Sequence, residues 1–332
     1  MNRRSTLRTL AQLTGLGSAL TLSGWAQAQG APAWPTRPVK LIVPGGPGSG
    51  TDVVSRVFAE LLGQAFKQPF VVDNRAGANG MLGSQIAKAA APDGYTLLFT
   101  YAAAQVVNQT LYDKAGYDGG KDFEAIAQIG GGGNLLVVRS DVPANNLQEF
   151  IAWARRQPEG SIAYGSWGVG SGGHLSMEAL CQATGLKMRH VPYKTAAASN
   201  QDIIAGHIQA GFAATAASIP HIQAGRLRAV AISDTVRVPA LPQVATMTEQ
   251  GVKFDVNAWY GLFAPKGTPR PIIEAVNREV NRLVGAPEQA ERWKTLGFAH
   301  MPQRTPEEFA QQVQADIRDW GDVVRKGNIK PE

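Results

Sequence analysis

The sequence predicts a two-domain α/β protein, and three observations carry that prediction. Apolar runs too short to be helices alternate with longer segments of helical period, which is the pattern of a parallel sheet covered by helices. The alternation occurs as two series separated by Gly130-Gly131-Gly132-Gly133. Once an N-terminal leader is set aside, about 300 residues remain, enough for two cores.

In the first series Val39–Val43 reads as a buried strand. Asp52–Phe66 carries Val53, Val54, Val57, Phe58, Leu61, Leu62 and Ala65 on one broad face, as an amphipathic helix requires, with Thr51 or Asp52 able to cap it. Strand Phe70–Val72, helix Met81–Ala89 and strand Tyr95–Thr100 follow, the last entered through the turn Pro92-Asp93-Gly94. The second series runs strand Leu135–Val138, helix Leu147–Arg156, strand Ile162–Gly165, helix Gly173–Thr184, strand Met188–Pro192, helix Ala196–Ala205 and strand Ile208–Phe212. Helix Ser218–Ala224 and strand Leu227–Ile232 close it. An aromatic strand, Asn257–Ala264, then leads into three helices near Pro269–Val284, Pro287–Leu296 and Pro306–Lys326. This last group has no complete βαβ set of its own, so it is expected to pack back on the first domain. The expected limits are 29–130 with 255–332 for domain 1 and 131–254 for domain 2, the chain crossing near Gly130 and again near Val252–Asn257.

Two strands are followed by turns of one design: Pro44-Gly45-Gly46-Pro47-Gly48-Ser49-Gly50-Thr51-Asp52 and Ser166-Trp167-Gly168-Val169-Gly170-Ser171-Gly172-Gly173-His174. Such turns bring bare backbone N–H groups and small hydroxyls to a helix start, where four amides lack internal partners and the dipole favours negative charge. Ligands of open α/β sheets sit beyond the carboxyl ends of the strands, so one turn on each domain implies an interdomain cleft that grips an anion from both sides.

The ends and composition limit the function further. Asn2-Arg3-Arg4-Ser5-Thr6-Leu7-Arg8, the apolar run Leu10–Leu22 and Ala26-Gln27-Ala28 form the three parts of an export signal, twin-arginine-like and expected to be cleaved after Ala28. The apolar run is too short to span a bilayer. Loss of the leader removes three arginines and no acid, so the formal charge falls from +6 to +3. That is too little and too scattered for a nucleic-acid partner. The single Cys181 excludes an internal disulfide, leaving the fold to a large core.

Catalytic and cofactor readings fail on their surroundings. Gly168-Val169-Gly170-Ser171-Gly172-Gly173 formally matches a dinucleotide fingerprint, but the next strand ends in His190-Val191-Pro192-Tyr193 with no acid for a ribose hydroxyl. The first turn lacks the Gly-Lys-Ser/Thr ending of a nucleotide loop. No serine has flanking glycines in nucleophile-elbow spacing and no histidine pair has metal spacing, so no catalytic residue, metal or cofactor is expected. His190, His207, His221 and His300 read as surface or structural residues; His174, opening a helix behind a glycine turn, is open to capping or to ligand contact. Asp52 reads as a cap and loop brace, and Cys181 as a small core residue. Trp167, inside a glycine turn, either stacks on a ligand or packs between domains.

Trp34-Pro35-Thr36-Arg37-Pro38-Val39, the Pro44–Asp52 turn, Val71-Val72-Asp73-Asn74-Arg75-Ala76-Gly77-Ala78-Asn79-Gly80, Ala91-Pro92-Asp93-Gly94-Tyr95-Thr96, Gly168–His174, His190-Val191-Pro192-Tyr193-Lys194 and Trp259-Tyr260-Gly261-Leu262 together resemble the Bug family. These are extracytoplasmic receptors of tripartite tricarboxylate transporters. The resemblance implies a periplasmic binding-protein fold of type II-like build, two α/β domains joined by two crossing strands, closing without chemistry on a small carboxylate. It further implies a periplasmic location, membrane permease subunits as partners and action as a monomer. Carried over by position, the first-domain contacts are Gly48, Ser49, Gly50, Thr51, Thr100, Tyr101 and Ala102. Those of the second are Ser166, Gly168, Gly170, Ser171, Gly172, His174 and Tyr193, with Trp167 added from its own place in the turn.

The chain departs from the family pattern in having Gly45 where many relatives have an aromatic residue and Ala213 where many have an aspartate. Without that acid an amino-acid ammonium group is poorly served, so an aromatic or extended apolar carboxylate is expected. The alternatives are a ligand-sensing partner of a membrane signalling protein and a hydrolase or isomerase on the same fold. A bulky residue at Ser171 is expected to abolish binding at nearly unchanged stability.

Overall fold

The computed structural model describes residues 34–131, 133–234, 236–253, 258–298 and 301–331, and the fold lies within the compact unit Arg37–Glu332. The leader and its cleavage point, His300 and positions 254–257 of the return crossing lie outside the described residues. The first half comprises β1 (Val39–Val43), α1 (Gly50–Phe66), β2 (Phe70–Asn74), α2 (Met81–Lys88) and β3 (Thr96–Tyr101). A wide turn of π type at Ala103–Val107 leads into the short α3 (Asn108–Leu111), and β4 (Phe123–Ile129) follows. The second half comprises β5 (Asn134–Val138), α4 (Leu147–Arg155), β6 (Ala163–Ser166), α5 (Gly172–Thr184), β7 (Arg189–Pro192), α6 (Ala196–Ala205), β8 (Ala210–Ala214), α7 (Thr215–Gln223) and β9 (Arg228–Ile232). The chain ends with β10 (Tyr260–Pro265), α8 (Arg270–Gly285), α9 (Ala290–Thr295) and α10 (Pro306–Lys326).

These strands form two five-stranded sheets of matching plan, β2-β1-β3-β10-β4 and β7-β6-β8-β5-β9. In the first, β1 pairs in parallel with β2 and β3, while β10 runs antiparallel between β3 and β4. In the second, β6 pairs in parallel with β7 and β8, while β5 runs antiparallel between β8 and β9. The sheets are therefore mixed where the sequence predicts parallel ones. Alternation of strand and helix registers the βα units but is blind to the direction of a strand arriving from elsewhere in the chain. One consequence bears on function: each antiparallel strand starts at the carboxyl end of its parallel neighbour, with Tyr260 opposite Tyr101 and Asn134 opposite Ala214.

Strand β4 has no counterpart in the sequence reading, because Phe123-Glu124-Ala125-Ile126-Ala127-Gln128-Ile129 is rich in residues that strands avoid. Strand β8 lies two residues later than Ile208–Phe212, so Ala213 is buried in the core and Ala214 is the residue that reaches the strand's end.

The C-terminal group packs on the first sheet. Helix α10 buries Phe309, Val313, Trp320 and Val324 against Trp259 and Phe263, each large side chain contributing about 1.5–3 kcal/mol relative to exposure. The Trp259 indole N–H donates to Asp316 Oδ2 at 2.5 Å, giving that buried carboxyl a partner. In the second sheet Leu135 and Leu136 face opposite layers, as strand alternation requires, so helices cover both sides. Cys181 packs half-buried at one of these layers, and burial pushes its thiol up to about 12, as expected of a core residue.

Helix α10 begins with a reciprocal cap: Thr305 Oγ1 accepts from Glu308 N (3.2 Å) and Glu308 Oε2 accepts from Thr305 N (2.8 Å). Thr305→Ala is expected to lower the unfolding free energy by about 1 kcal/mol. A urea titration would read this as an earlier midpoint at constant slope; an unmoved midpoint would show that the cap adds nothing.

Candidate functional site

The two glycine-serine turns have one stereochemistry. Ser49 and Ser171 both have φ −67° and ψ 159°, and both cap the helix that follows, accepting from the N–H of Asp52 (3.2 Å) and of His174 (3.3 Å) respectively. The third helical residue then reaches back. Asp52 Oδ2 accepts from Gly48 N at 2.8 Å, and His174 Nδ1 accepts from Gly170 N at 3.0 Å. Each glycine is left-handed, with φ 77° and 73°, a conformation that bends the chain into the cap and favours glycine. Asp52 and His174 thus do one job with different chemistry.

Each brace is itself held. Asp52 accepts from Asn74 Nδ2 (3.0 Å) and pairs with Arg56 (2.9 Å). Burial pushes its carboxyl up, but Arg56, Gly48 and Asn74 together hold it below the usual carboxylate range. His174 is stacked on His190, with ring centroids 3.9 Å apart and 4° between planes, and Tyr164 stacks on both rings. Ser166 Oγ lies 2.7 Å from His190 Nε2 and also takes the Gly168 N–H, tying the pair into the turn. Burial, with the neighbouring His190 adding repulsion, lowers His174 to about 3; burial lowers His190 to about 4. Both imidazoles are neutral at pH 7, which leaves His174 Nδ1 free to accept.

With the caps occupied, the amides of Gly50, Thr51, Gly172 and Gly173 have no hydrogen-bond partner among the described residues. The helix starts border one cavity of about 690 Å³. Tyr260 leans over the start of α1, its hydroxyl 2.6 Å from where a side chain on Gly50 would begin. Trp167 lies against the start of α5, its ring 2.6 Å from where a side chain on Gly173 would begin. Thr51 is 7 % exposed, and neither its hydroxyl nor that of Tyr260 has a protein partner among the described residues. Burial pushes the Tyr260 phenol up to about 12, so it stays a neutral donor. No carboxylate lines the cavity among the described residues.

Of the residues picked from sequence, Ser49, Gly50, Thr51, Tyr101, Ala102, Trp167, Gly168, Gly172 and Tyr193 line this cavity. Thr100, Ser166, Gly170, Ser171 and His174 stand behind the wall and shape it, whereas Gly48 is exposed and lies outside the lining. Thr100 is enclosed within β3, Ser166 and Ser171 are fully buried in the turn, and His174 is held in its stack. A bulky residue at Ser171 would therefore break the cap and cost stability, contrary to the sequence expectation. Trp167 both packs on its own helix and faces the cavity.

Sequence reasoning passed over Asn79, Asn134, Thr215, Tyr260 and Phe298, which also line it. Asn79 carried a signal, standing between two glycines after a strand; it is left-handed (φ 49°) and donates across the cleft to Gly170 O at 3.0 Å. Asn134 and Tyr260 carried none, since only sheet order brings them there. Among the described residues no helix is long and apolar enough to cross a membrane, and no His, Cys, Asp and Glu group could hold a metal ion.

Residues 54–329 match the family model described as the tripartite tricarboxylate transporter family receptor. The chain is 32 % identical over 320 residues to protein BugT of Bordetella pertussis, covering 96 % of this chain and 98 % of that one. Among solved structures it resembles Rpa4515 of Rhodopseudomonas palustris with adipate, at TM-score 0.85 and 31 % identity over 90 % of this chain and all of that one. It also resembles MatC of the same organism with bound malate, at TM-score 0.79 and 31 % identity over 88 % of this chain and all of that one.

The histidine stack makes stability pH-dependent in a defined direction. Both rings have folded values depressed below 6.5, so their contribution is complete above pH 6.5 and is lost as pH falls toward about 4. The loss should approach about 1.4 kcal/mol per pH unit for each ring. His174→Asn, which can still accept from Gly170 N, is expected to flatten the slope of melting temperature against pH between 6.5 and 4. Parallel slopes in variant and parent would refute the depressed value.

Proposed function

The chain belongs to the tripartite tricarboxylate transporter receptor family, and on that premise we propose that it captures a small carboxylate in this cavity and delivers it to the permease of a tripartite transporter. The observation that carries the reading is the convergence of two helix starts on one cavity where, among the described residues, four amides have no partner and no acid lines the wall. Hydrogen bonds to a charged acceptor contribute about 1.5–3 kcal/mol each, and the two helix dipoles add to them. Ser49, Thr51 and Tyr260 supply hydroxyls beside the amides of α1, and Gly168 and Gly172 form the opposing wall.

The rest of the lining sets the ligand's body. Trp167, Tyr193, Tyr112 and Phe298 present aromatic surface, and Gly45 and Ala214 leave room where larger residues would intrude. With no carboxylate among the described lining residues to receive an ammonium group, an aromatic or extended apolar acid fits better than an amino acid. Adipate and malate, found in relatives, place carboxylates within the family's range.

We read the chain as a receptor and not as an enzyme. The leader directs export and is cleaved after Ala28, and the mature protein works as a periplasmic monomer. The domain limits that fit are 29–130 with 255–332, and 131–254. Closure follows if the ligand touches both halves and so favours the closed state.

Thr51→Val, which keeps shape but removes a hydroxyl, is expected to weaken binding of adipate or of an aromatic acid roughly tenfold or more at nearly unchanged melting temperature. Calorimetric titration of both proteins checks this. Tight aspartate binding, with none for adipate or aromatic acids, would overturn the assignment.

A further inference from the structure

Gly170, in the second glycine-serine turn, is held by both halves of the molecule. Its N–H goes to His174 Nδ1 at 3.0 Å within the second half, while its carbonyl accepts from Asn79 Nδ2 of the first half at 3.0 Å. Leu111 of the first half packs so close to Gly170 that a side chain there would collide with it. Further along, Leu175 of α5 is fully buried in one apolar cluster with Leu111, Trp259 and Trp320. Every atom of this contact belongs to the chain, so it forms without a ligand.

Asn79 is prepared for its bond by the first half alone. Gly77, Ala78, Asn79 and Gly80 have φ of 145°, 45°, 49° and 85°, and Gly80 N donates to Gly77 O at 2.9 Å to close the turn. Left-handed backbone is unfavourable at Ala78, and such strain persists only where the surroundings over-determine it. Here they do. Asn79 Nδ2 also donates to Asn108 Oδ1 (2.9 Å), Tyr101 Oη donates to Asn79 Oδ1 (3.3 Å), and Asn108 Nδ2 donates to Asn79 O (3.0 Å) and to Tyr117 Oη (2.9 Å). Asn108 is fully buried, so the network is anchored in the core. The Asn79 amide thus uses both of its hydrogens, one on Asn108 and one on Gly170, and parting of the halves would return the latter to water.

We infer that Asn79 is a positioning residue: it fixes the second turn on the first half before a ligand arrives, so that the cavity is assembled in advance and affinity depends on Asn79 through the population of that assembled state. When only a fraction of the molecules is competent to bind, the apparent dissociation constant rises by the inverse of that fraction. The bearing of Asn79 on affinity rests on reading the cavity as a carboxylate site; its bearing on shape does not.

Small-angle X-ray scattering of the ligand-free mature protein, set beside calorimetric titration with adipate and with an aromatic acid, benzoate, tests both. Asn79→Gly keeps the left-handed turn and removes the donor, and Asn79→Asp keeps the size but turns an acceptor toward the Gly170 carbonyl. Both variants are expected to raise the ligand-free radius of gyration above the parent's, to weaken binding about three- to tenfold, and to regain the parent's radius at saturating ligand. Thr51→Val, which removes a cavity hydroxyl, is expected to weaken binding at the parent's radius. Equal ligand-free scattering by the parent and both Asn79 variants would overturn the inference; an affinity loss without a change of shape would make Asn79 a ligand contact only. A larger radius in the variants, with neither acid bound by the parent, would uphold the positioning role and overturn the carboxylate reading.

Discussion

The constraint on which the structure turns is the exchange of hydrogen bonds within two glycine-serine turns. In each, a serine caps the helix and the third helical residue takes the N–H of a left-handed glycine, so the turn satisfies itself and leaves the first helical amides unspent. Donors that are fixed but unpartnered bind an anion without reorganising, which is why backbone can serve where arginine would be expected. The matching sheet plans put these turns in corresponding places, and the halves bring them to one cavity.

The two braces respond differently to their surroundings. Asp52 is anchored by Arg56 and Asn74, a charged arrangement that tolerates water at its edge. His174 relies on a stack of neutral rings that has to stay dry. The same backbone geometry is thus secured once by charge and once by burial. Across the cleft, Asn79 Nδ2 donates to Gly170 O of the second turn, and Leu111 is seated against the same glycine. A single neutral hydrogen bond contributes about 0.5–1.5 kcal/mol, less than charge-assisted bonds from a ligand to both halves.

Much of this was legible in the sequence. Elements with a clear period, such as α1, α6 and α10, fall within two residues of their expected limits, because burial of one face decides them locally. The two turns were legible because glycine, serine and a following helix are adjacent in the chain. What escaped depends on distant parts of the chain meeting. Strand β4 is built from weak strand formers and exists because β10 pairs with it. Tyr260 and Asn134 face the cavity because antiparallel strands begin beside β3 and β8. The sequence reading makes contacts of Ser166, Ser171 and His174, but they stand one layer back, since sequence marks a turn without telling which of its atoms point outward.

On the proposed reading, the helix-start amides hold the buried carboxylate. A crystal structure of the mature protein with adipate tests it most directly. Carboxylate oxygens are expected about 2.7–3.1 Å from the amide nitrogens at the starts of α1 and α5, directly or through one ordered water each. A carboxylate bound elsewhere in the cavity, with the amides of Gly50, Thr51, Gly172 and Gly173 facing only bulk solvent, would contradict it.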